Sequence, residues 1–377
     1  MKNTIGLSIA LALLCAVATT GMAQQREQAL RHGSFAVKPH PNPPDTAQIL
    51  RDAAAGTGLP MWGYSVTSSR DGNSYSGVMV GASPYTSNTT TSVKVQIVPI
   101  IFKIGPIVFD PTKPDNTCAG GRVPLTLFKQ SPLFNPADFV LNGVDVGTGQ
   151  YVDDFQRANF WDPIQANGGN YHTTLNPVEV LKPIEVVPGG HGSFIARGCE
   201  ILGGVEVNWW DNYLTGTLLP ELAKSGVGPS TFPIFLMYNV AMYIGNPYNC
   251  CYDGYHGSYG SPVQTYSPME YDTSGLQFPD TYVAAHEIGE WMNDPLITNP
   301  VPAWGHVGQQ AGCQNNLEVG DPLFSTNPLS KTMPNGYTYH MQELAYFSWF
   351  YGAPSIGAGG LFSDNGTFTT DAGSVCQ

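Results

Sequence analysis

The chain has 377 residues, of which 42% are hydrophobic and 12% charged, with a net charge of −13. Half the usual charged fraction, combined with 19 Tyr, 17 Phe and 7 Trp, excludes a disordered chain and predicts a folded one with ample core for one or two domains. Lys and Arg number 16 against 29 Asp and Glu, with no basic run, which argues against nucleic acid and anionic membrane surfaces as partners.

Lys2, the apolar stretch from Ile5 to Ala18 and the small-residue site Gly21-Met22-Ala23 predict a secretory signal peptide over residues 1–23. No later segment is long and apolar enough to span a bilayer, so a released extracellular or periplasmic protein, a monomer, is expected. Residues 24–45 are polar and end in Pro41-Asn42-Pro43-Pro44, which predicts a flexible N-terminal arm. Asp45 is placed to cap a short helix running through Ala55. Ser92 to Ile104 alternates at Val93, Val95 and Ile97 and then becomes wholly apolar, a strand with a bend at Pro99.

Tyr151 to Trp161 predicts a short helix carrying Phe155 and Phe160, and Val178 to Val187 two short strands split at Lys182-Pro183. Glu206 to Ser225 reads as a surface helix or two, interrupted at Pro220. Pro233 to Ile244 reads as one buried strand, followed by a loop over Gly245–Gly260. A helix capped by Asp280 should stop near Asn293-Asp294, because Pro295 disfavours helix before it. Residues 295–338 read as loops and Tyr339 to Tyr351 as a last helix. The mixture predicts one α+β unit over residues 46–377, loop-rich and disulfide-stabilised, with lobes meeting near residue 225 (46–225 and 226–377).

With Cys15 in the leader, six cysteines remain: Cys118, Cys199, Cys250, Cys251, Cys313 and Cys376. An even number in a secreted chain predicts disulfides. The adjacent Cys250 and Cys251 are expected to bond to two different partners, a vicinal disulfide being the rarer option.

The chemistry concentrates in Ala284 to Pro295, AAHEIGEWMNDP. His286 and Glu290 are four apart, so they share a helix face and can bind one ion. Glu287 sits one step round, where its carboxylate reaches an ion-bound water without binding the ion. This is the logic of HExxH zinc peptidases, with Glu290 in place of the second His. Three titratable residues within five positions, on a helix that begins Val283-Ala284-Ala285, require a partner for their charge. Glu318 and Asp321 follow at a spacing that lets a loop return them to the helix.

Several further motifs accompany the helix: Phe235 to Asn239, Cys250-Cys251-Tyr252-Asp253-Gly254-Tyr255-His256, Asp294-Pro295, Trp304, and Glu318-Val319-Gly320-Asp321. In this order, residues 235–350 resemble the EXORDIUM-like (phosphate-induced) secreted proteins of plants and related microbial secreted proteins. The chain departs from that pattern at Pro322, where a Cys is common. The resemblance implies a zincin-like metal helix packed on a mixed sheet, with Glu318 as a ligand.

The expected centre is therefore Zn²⁺ held by His286, Glu290 and Glu318, with Asp321 the alternative third ligand or a hydrogen-bonding orienter of His286. Glu287 is the expected general base. His256 is read as a loop-packing residue, with a ligand or substrate-orienting role as the alternative. His306 is an alternative to Glu318, Asp294 a helix-end packing residue, and Tyr255 a structural residue or an oxyanion donor. No G-x-S-x-G elbow supports a serine hydrolase, and two Glu one turn apart cannot flank a glycosidic bond from both sides. The expected function is a secreted zinc-dependent hydrolase, a zincin-like metallopeptidase acting on protein or peptide. The alternative is a non-catalytic cell-surface or cell-wall-binding protein keeping the fold and a structural ion.

Overall fold

The computed structural model describes residues 42, 45–305, 313–324 and 326–371. The expected leader, most of the expected arm, His306 and Cys376 lie outside these residues. The fold is α+β. Asp45 caps the helix Thr46–Ala54 as expected, its carboxylate accepting from the Gln48 backbone N–H at 2.6 Å.

A seven-stranded sheet organises the chain around the strand Thr90–Ile104. Thr231–Tyr238 runs parallel to it on one side and His172–Val180 on the other. Gln264–Tyr271 pairs in parallel with Thr231–Tyr238, and Gly257–Tyr259 closes that edge antiparallel. Parallel strands are covered on both faces, so they read as continuous apolar runs. The alternation survives inside the run. Val93, Val95 and Ile97 enter one core, while Val98, Ile100 and Phe102 enter the other. Pairing passes from His172–Val180 to Ile184–Val186 between Ile97 and Ile100, where Pro99 offers no N–H. Because the strand at 90–104 pairs with the strand at 231–238, the sheet itself joins the two sides of residue 225.

Three local expectations are corrected. The stretch Pro233 to Ile244 is not one strand. It divides into Thr231–Tyr238 and Val240–Tyr243, which lie in different sheets, because Asn239 adopts a left-handed φ of 49° and turns the chain. The Glu206 to Ser225 segment is helical and lies at the surface as expected, with Asn208, Asn212 and Gly216 exposed while Trp210, Leu214, Leu218 and Leu219 enter the second core. Its regular helix Val207–Tyr213 loosens into a π turn over Leu214–Leu218, ahead of Pro220 rather than at it. Tyr339 to Tyr351 is not a helix throughout. Thr338–Met341 pairs as a strand with Leu329–Thr332, and only Phe347–Tyr351 is helical. Finally, Cys250 and Cys251 are bonded to each other, and Cys118 to Cys199. Among the described residues no helix is long and apolar enough to cross a membrane.

The helix Tyr282–Asn293 lies on the first core face, and each of its residues is buried. Its apolar side supplies Val283, Ala284, Ala285, Ile288, Trp291 and Met292 to that core. The Trp291 ring stacks on Phe232 of the sheet with centroids 3.7 Å apart, and its N–H donates to the Thr265 hydroxyl at 3.0 Å. The helix begins one residue later than a cap at Asp280 implies. Asp280 has a left-handed φ of 45° and does not cap it; its carboxylate instead binds the His340 backbone N–H and ring, at 2.9 and 2.7 Å.

Candidate metal centre

Three glycines let the surrounding chain close onto the polar side of this helix. A Cβ at Gly320 would stand 2.3 Å from His286 Nδ1, one at Gly254 2.8 Å from Glu287 Oε1, and one at Gly289 2.5 Å from Leu344. Each distance is below any ordinary carbon contact, so no larger residue fits without displacement. The Cys-Cys loop, the 318–321 segment and the 342–344 segment thus meet at one place.

There His286 Nε2 lies 3.0 Å from Glu290 Oε2 and 3.7 Å from Asp321 Oδ1. Its Nδ1 lies 2.9 Å from Gln342 Oε1. The Gln342 amide nitrogen donates to the Gly320 carbonyl, so its oxygen is the atom that faces the ring. In the neutral ring Nδ1 is therefore the donor, and the Nε2 lone pair is turned to the carboxylates. Glu290 Oε1 accepts from the Gly320 and Asp321 backbone N–H groups, both at 3.1 Å, which leaves Oε2 to face the imidazole.

His256 enters the same cluster. Its Nδ1 is 3.4 Å from Glu287 Oε2 and 3.8 Å from Glu290 Oε2, and its Nε2 is 3.0 Å from the Asp294 carbonyl and 3.8 Å from Glu318 Oε2. Asn316 donates to Glu318 Oε1 at 2.6 Å. His256, His286, Glu287, Glu290, Glu318 and Asp321 are all buried, none more than 3% exposed. Glu287 Oε1 and Glu318 Oε2 are buried without a hydrogen-bond donor.

Burial sets the electrostatics. It raises Glu287 well above the ordinary carboxyl range, and the charges of Glu290 and Asp321 add to the rise. Glu318 is raised likewise by burial and by Glu290, Asp294 and Asp321. Burial also acts upward on Glu290, but the His286 imidazole outweighs it and holds Glu290 below its usual value. Burial opposes charge on both imidazoles. For His286 the carboxylates of Glu290 and Asp321 win and its pKa rises, whereas His256 is lowered to about 4. The result is a carboxylate-rich interior in which two rings are the positive or neutral counterparts.

Two groupings have ligand spacing that suits a metal ion: His286 with Glu290 and Asp321, and His256 with Glu287 and Glu290. Ligand atoms about 2.0–2.2 Å from one tetrahedral ion stand roughly 3.3–3.6 Å apart. The observed separations of 3.0–3.8 Å bracket that value. A third grouping, Asp115, Cys118 and Glu200, has its sulfur committed to the Cys118–Cys199 disulfide.

His286, Glu290 and Asp321 are thus brought together, and Glu287 lies beside them. Glu318, the preferred third ligand, is placed differently. It faces the far nitrogen of His256, because Glu290 Oε1 draws the Gly320 and Asp321 N–H groups in and swings Asp321 to His286 instead. Asp321 is not the orienter of His286; Gln342 has that place. Asp294 accepts from the Thr298, Asn299 and Leu317 N–H groups, the packing role expected of it. The Tyr255 hydroxyl donates to Asp211 at 2.9 Å and is committed there, not to the cluster. His256 is both packed and inside the cluster, a placement that its position after the Cys pair alone did not decide. Gln342 was missed altogether; its one signal was a polar residue inside an apolar run that read as helix.

No protein-family model, curated protein or solved structure matches this chain.

Proposed function

We propose that the chain is a secreted metal-dependent hydrolase of zincin-like design, acting on protein or peptide, with His286, Glu290 and Asp321 as the protein ligands of a zinc ion and Glu287 as general base. The observation that carries the reading is the fixing of His286. Gln342 holds its Nδ1–H, so that Nε2 presents a lone pair to two carboxylates in a buried site. Metal-bound histidines are held this way, by an acceptor on the other ring nitrogen. A bound zinc would lower the pKa of its water towards ~7 and polarise a scissile carbonyl.

The chain's own groups divide the remaining work. Glu290 is locked by two N–H groups on Oε1 and contributes Oε2. Glu287 Oε1 has no donor and burial raises its proton affinity, which suits a group that takes a proton and later returns it to a leaving amine. His256, His286, Glu287, Gly320 and Asp321, which lie in the motifs of the EXORDIUM-like resemblance, meet at Glu290. Disulfides at Cys118–Cys199 and Cys250–Cys251 support an oxidising compartment, and so secretion.

One observation favours a second reading. Every ligand is buried, as in a structural site, which suits a non-catalytic cell-surface or cell-wall-binding protein with an ion in its core. Casein or gelatin cleavage by the purified full chain separates the two readings. Cleavage that stops with a chelator, returns with Zn²⁺ and is absent in His286→Ala supports the hydrolase. A folded, zinc-loaded protein without cleavage supports the structural ion. Folded protein that binds no zinc ends both.

A further inference from the structure

We propose that the cluster holds two divalent metal ions, the second seated between His256, Glu287 and Glu290, with Glu290 Oε2 shared between them. This rests on the reading of the His286 position above and extends it.

The two imidazoles follow one plan. His256 Nε2 lies 3.0 Å from the Asp294 carbonyl, which can only accept, so Nε2 carries the hydrogen. The Nδ1 of the neutral ring then carries a lone pair, and it faces Glu287 Oε2 at 3.4 Å and Glu290 Oε2 at 3.8 Å. His286 is fixed in the same sense by Gln342, with its Nε2 facing Glu290 Oε2 at 3.0 Å. Each ring thus has its outer nitrogen tied to a protein acceptor and its inner nitrogen turned to the same carboxylate oxygen. A lone pair facing carboxylates in a buried site is costly unless a proton or a metal cation lies between them.

Glu290 is built to be shared. Its Oε1 is occupied by the Gly320 and Asp321 N–H groups, so one oxygen is left for both rings. Two-metal hydrolytic sites hold their ions about 3.5–4 Å apart across common ligands. Nitrogens 3.0 and 3.8 Å from one oxygen leave room for that arrangement.

The balance of charge points the same way. Glu287 Oε1 is buried without a donor and lies against the Cys-Cys loop, where only a glycine at 254 leaves it space. Among the described residues the ion-pair partners of Glu287, Glu290 and Glu318 are the two imidazoles. With Asp321 the fully ionised cluster has four carboxylates, so one divalent ion leaves it at −2 and a second brings it to balance. Ligation of Glu287 through Oε2 leaves Oε1 unligated. Imidazole with carboxylate oxygen suits Zn²⁺ or Mn²⁺ at both positions.

The test is a titration of metal-free full chain with Zn²⁺, followed by desalting and elemental analysis. Two equivalents are expected for the wild type. His256→Gln, which keeps an amide donor for the Asp294 carbonyl, and Glu287→Gln should each fall to one. In the wild type loaded with Mn²⁺, electron paramagnetic resonance should show an exchange-coupled pair, a readout that needs no variant. One equivalent in the wild type with an uncoupled Mn²⁺ spectrum overturns the second ion and leaves the His286 reading standing. No binding by the folded wild type overturns both.

Discussion

Gln342 Oε1 lies 2.9 Å from His286 Nδ1, while the same amide donates to the Gly320 carbonyl. One side chain thereby sets the orientation of the imidazole and ties the 318–321 segment to the helix that carries it. The amide cannot rotate to present its nitrogen to the ring without losing the Gly320 bond, so the tautomer of His286 follows from a backbone carbonyl.

Gln342→Leu should therefore weaken metal binding by about 10–100-fold, the usual consequence of removing the group that holds a ligating histidine. Competition with a chromophoric chelator measures it. Unchanged affinity in a folded variant would show that Gln342 only fills space.

The third ligand is decided by comparing two neutral isosteres. Asp321→Asn removes a carboxylate 3.7 Å from His286 Nε2, and Glu318→Gln one that stands 3.8 Å from His256 Nε2. Zinc affinity at the His286 position should fall at least 10-fold for Asp321→Asn, a loss of ~1.4 kcal/mol or more, and much less for Glu318→Gln. The reverse order would return Glu318 to the ligand set.

Glu287→Gln keeps the shape of the side chain and removes the proton acceptor. The ion on His286 and Glu290 should remain, and hydrolysis should fall by about 10² or more, the worth of a positioned general base. Equal hydrolysis by variant and wild type would assign Glu287 no part in the chemistry.

A second buried pair, beside the centre, supplies a pH test. Asp253 is raised to about 8 by burial and then by Asp272, and Glu270 is raised well above its usual value by burial and by Asp253. A carboxyl whose pKa is raised by folding binds protons more tightly in the native state, so its contribution falls as pH rises from the unfolded value of about 4 to the folded one. Glu270→Gln should thus raise the melting temperature at pH 8 relative to wild type, and change it little at pH 4. A gain equal at both pH values would mean that Glu270 does not titrate across this range.

Much of the fold was legible because local rules decided it. Asp45 caps its helix through its own side chain, and the strand ending at Ile104 follows from alternation passing into a run that both faces bury. The expectations that failed share a cause. Asn239 and Asp280 adopt left-handed φ values that a sequence pattern does not announce, so one strand became two and a cap moved. Thr338–Met341 buries Tyr339 and Met341 in alternation, a period too short to stand out beside the apolar residues that follow until Leu329–Thr332 pairs with it.

The sequence by itself determined that His286, Glu287 and Glu290 share one short helix, since a spacing of four residues fixes a common face whatever surrounds it. It also determined that their charges need a counterpart, because the chain around them is apolar. Which other groups would supply that counterpart was a tertiary matter. His256 comes from 30 residues before His286, Asp321 from beyond a hairpin, and Gln342 from a strand end. Their convergence depends on Gly254 and Gly320 permitting backbone to touch the helix, and on two N–H groups finding Glu290 Oε1. No local pattern encodes those contacts, because each is set by the sheet that holds both partners in place.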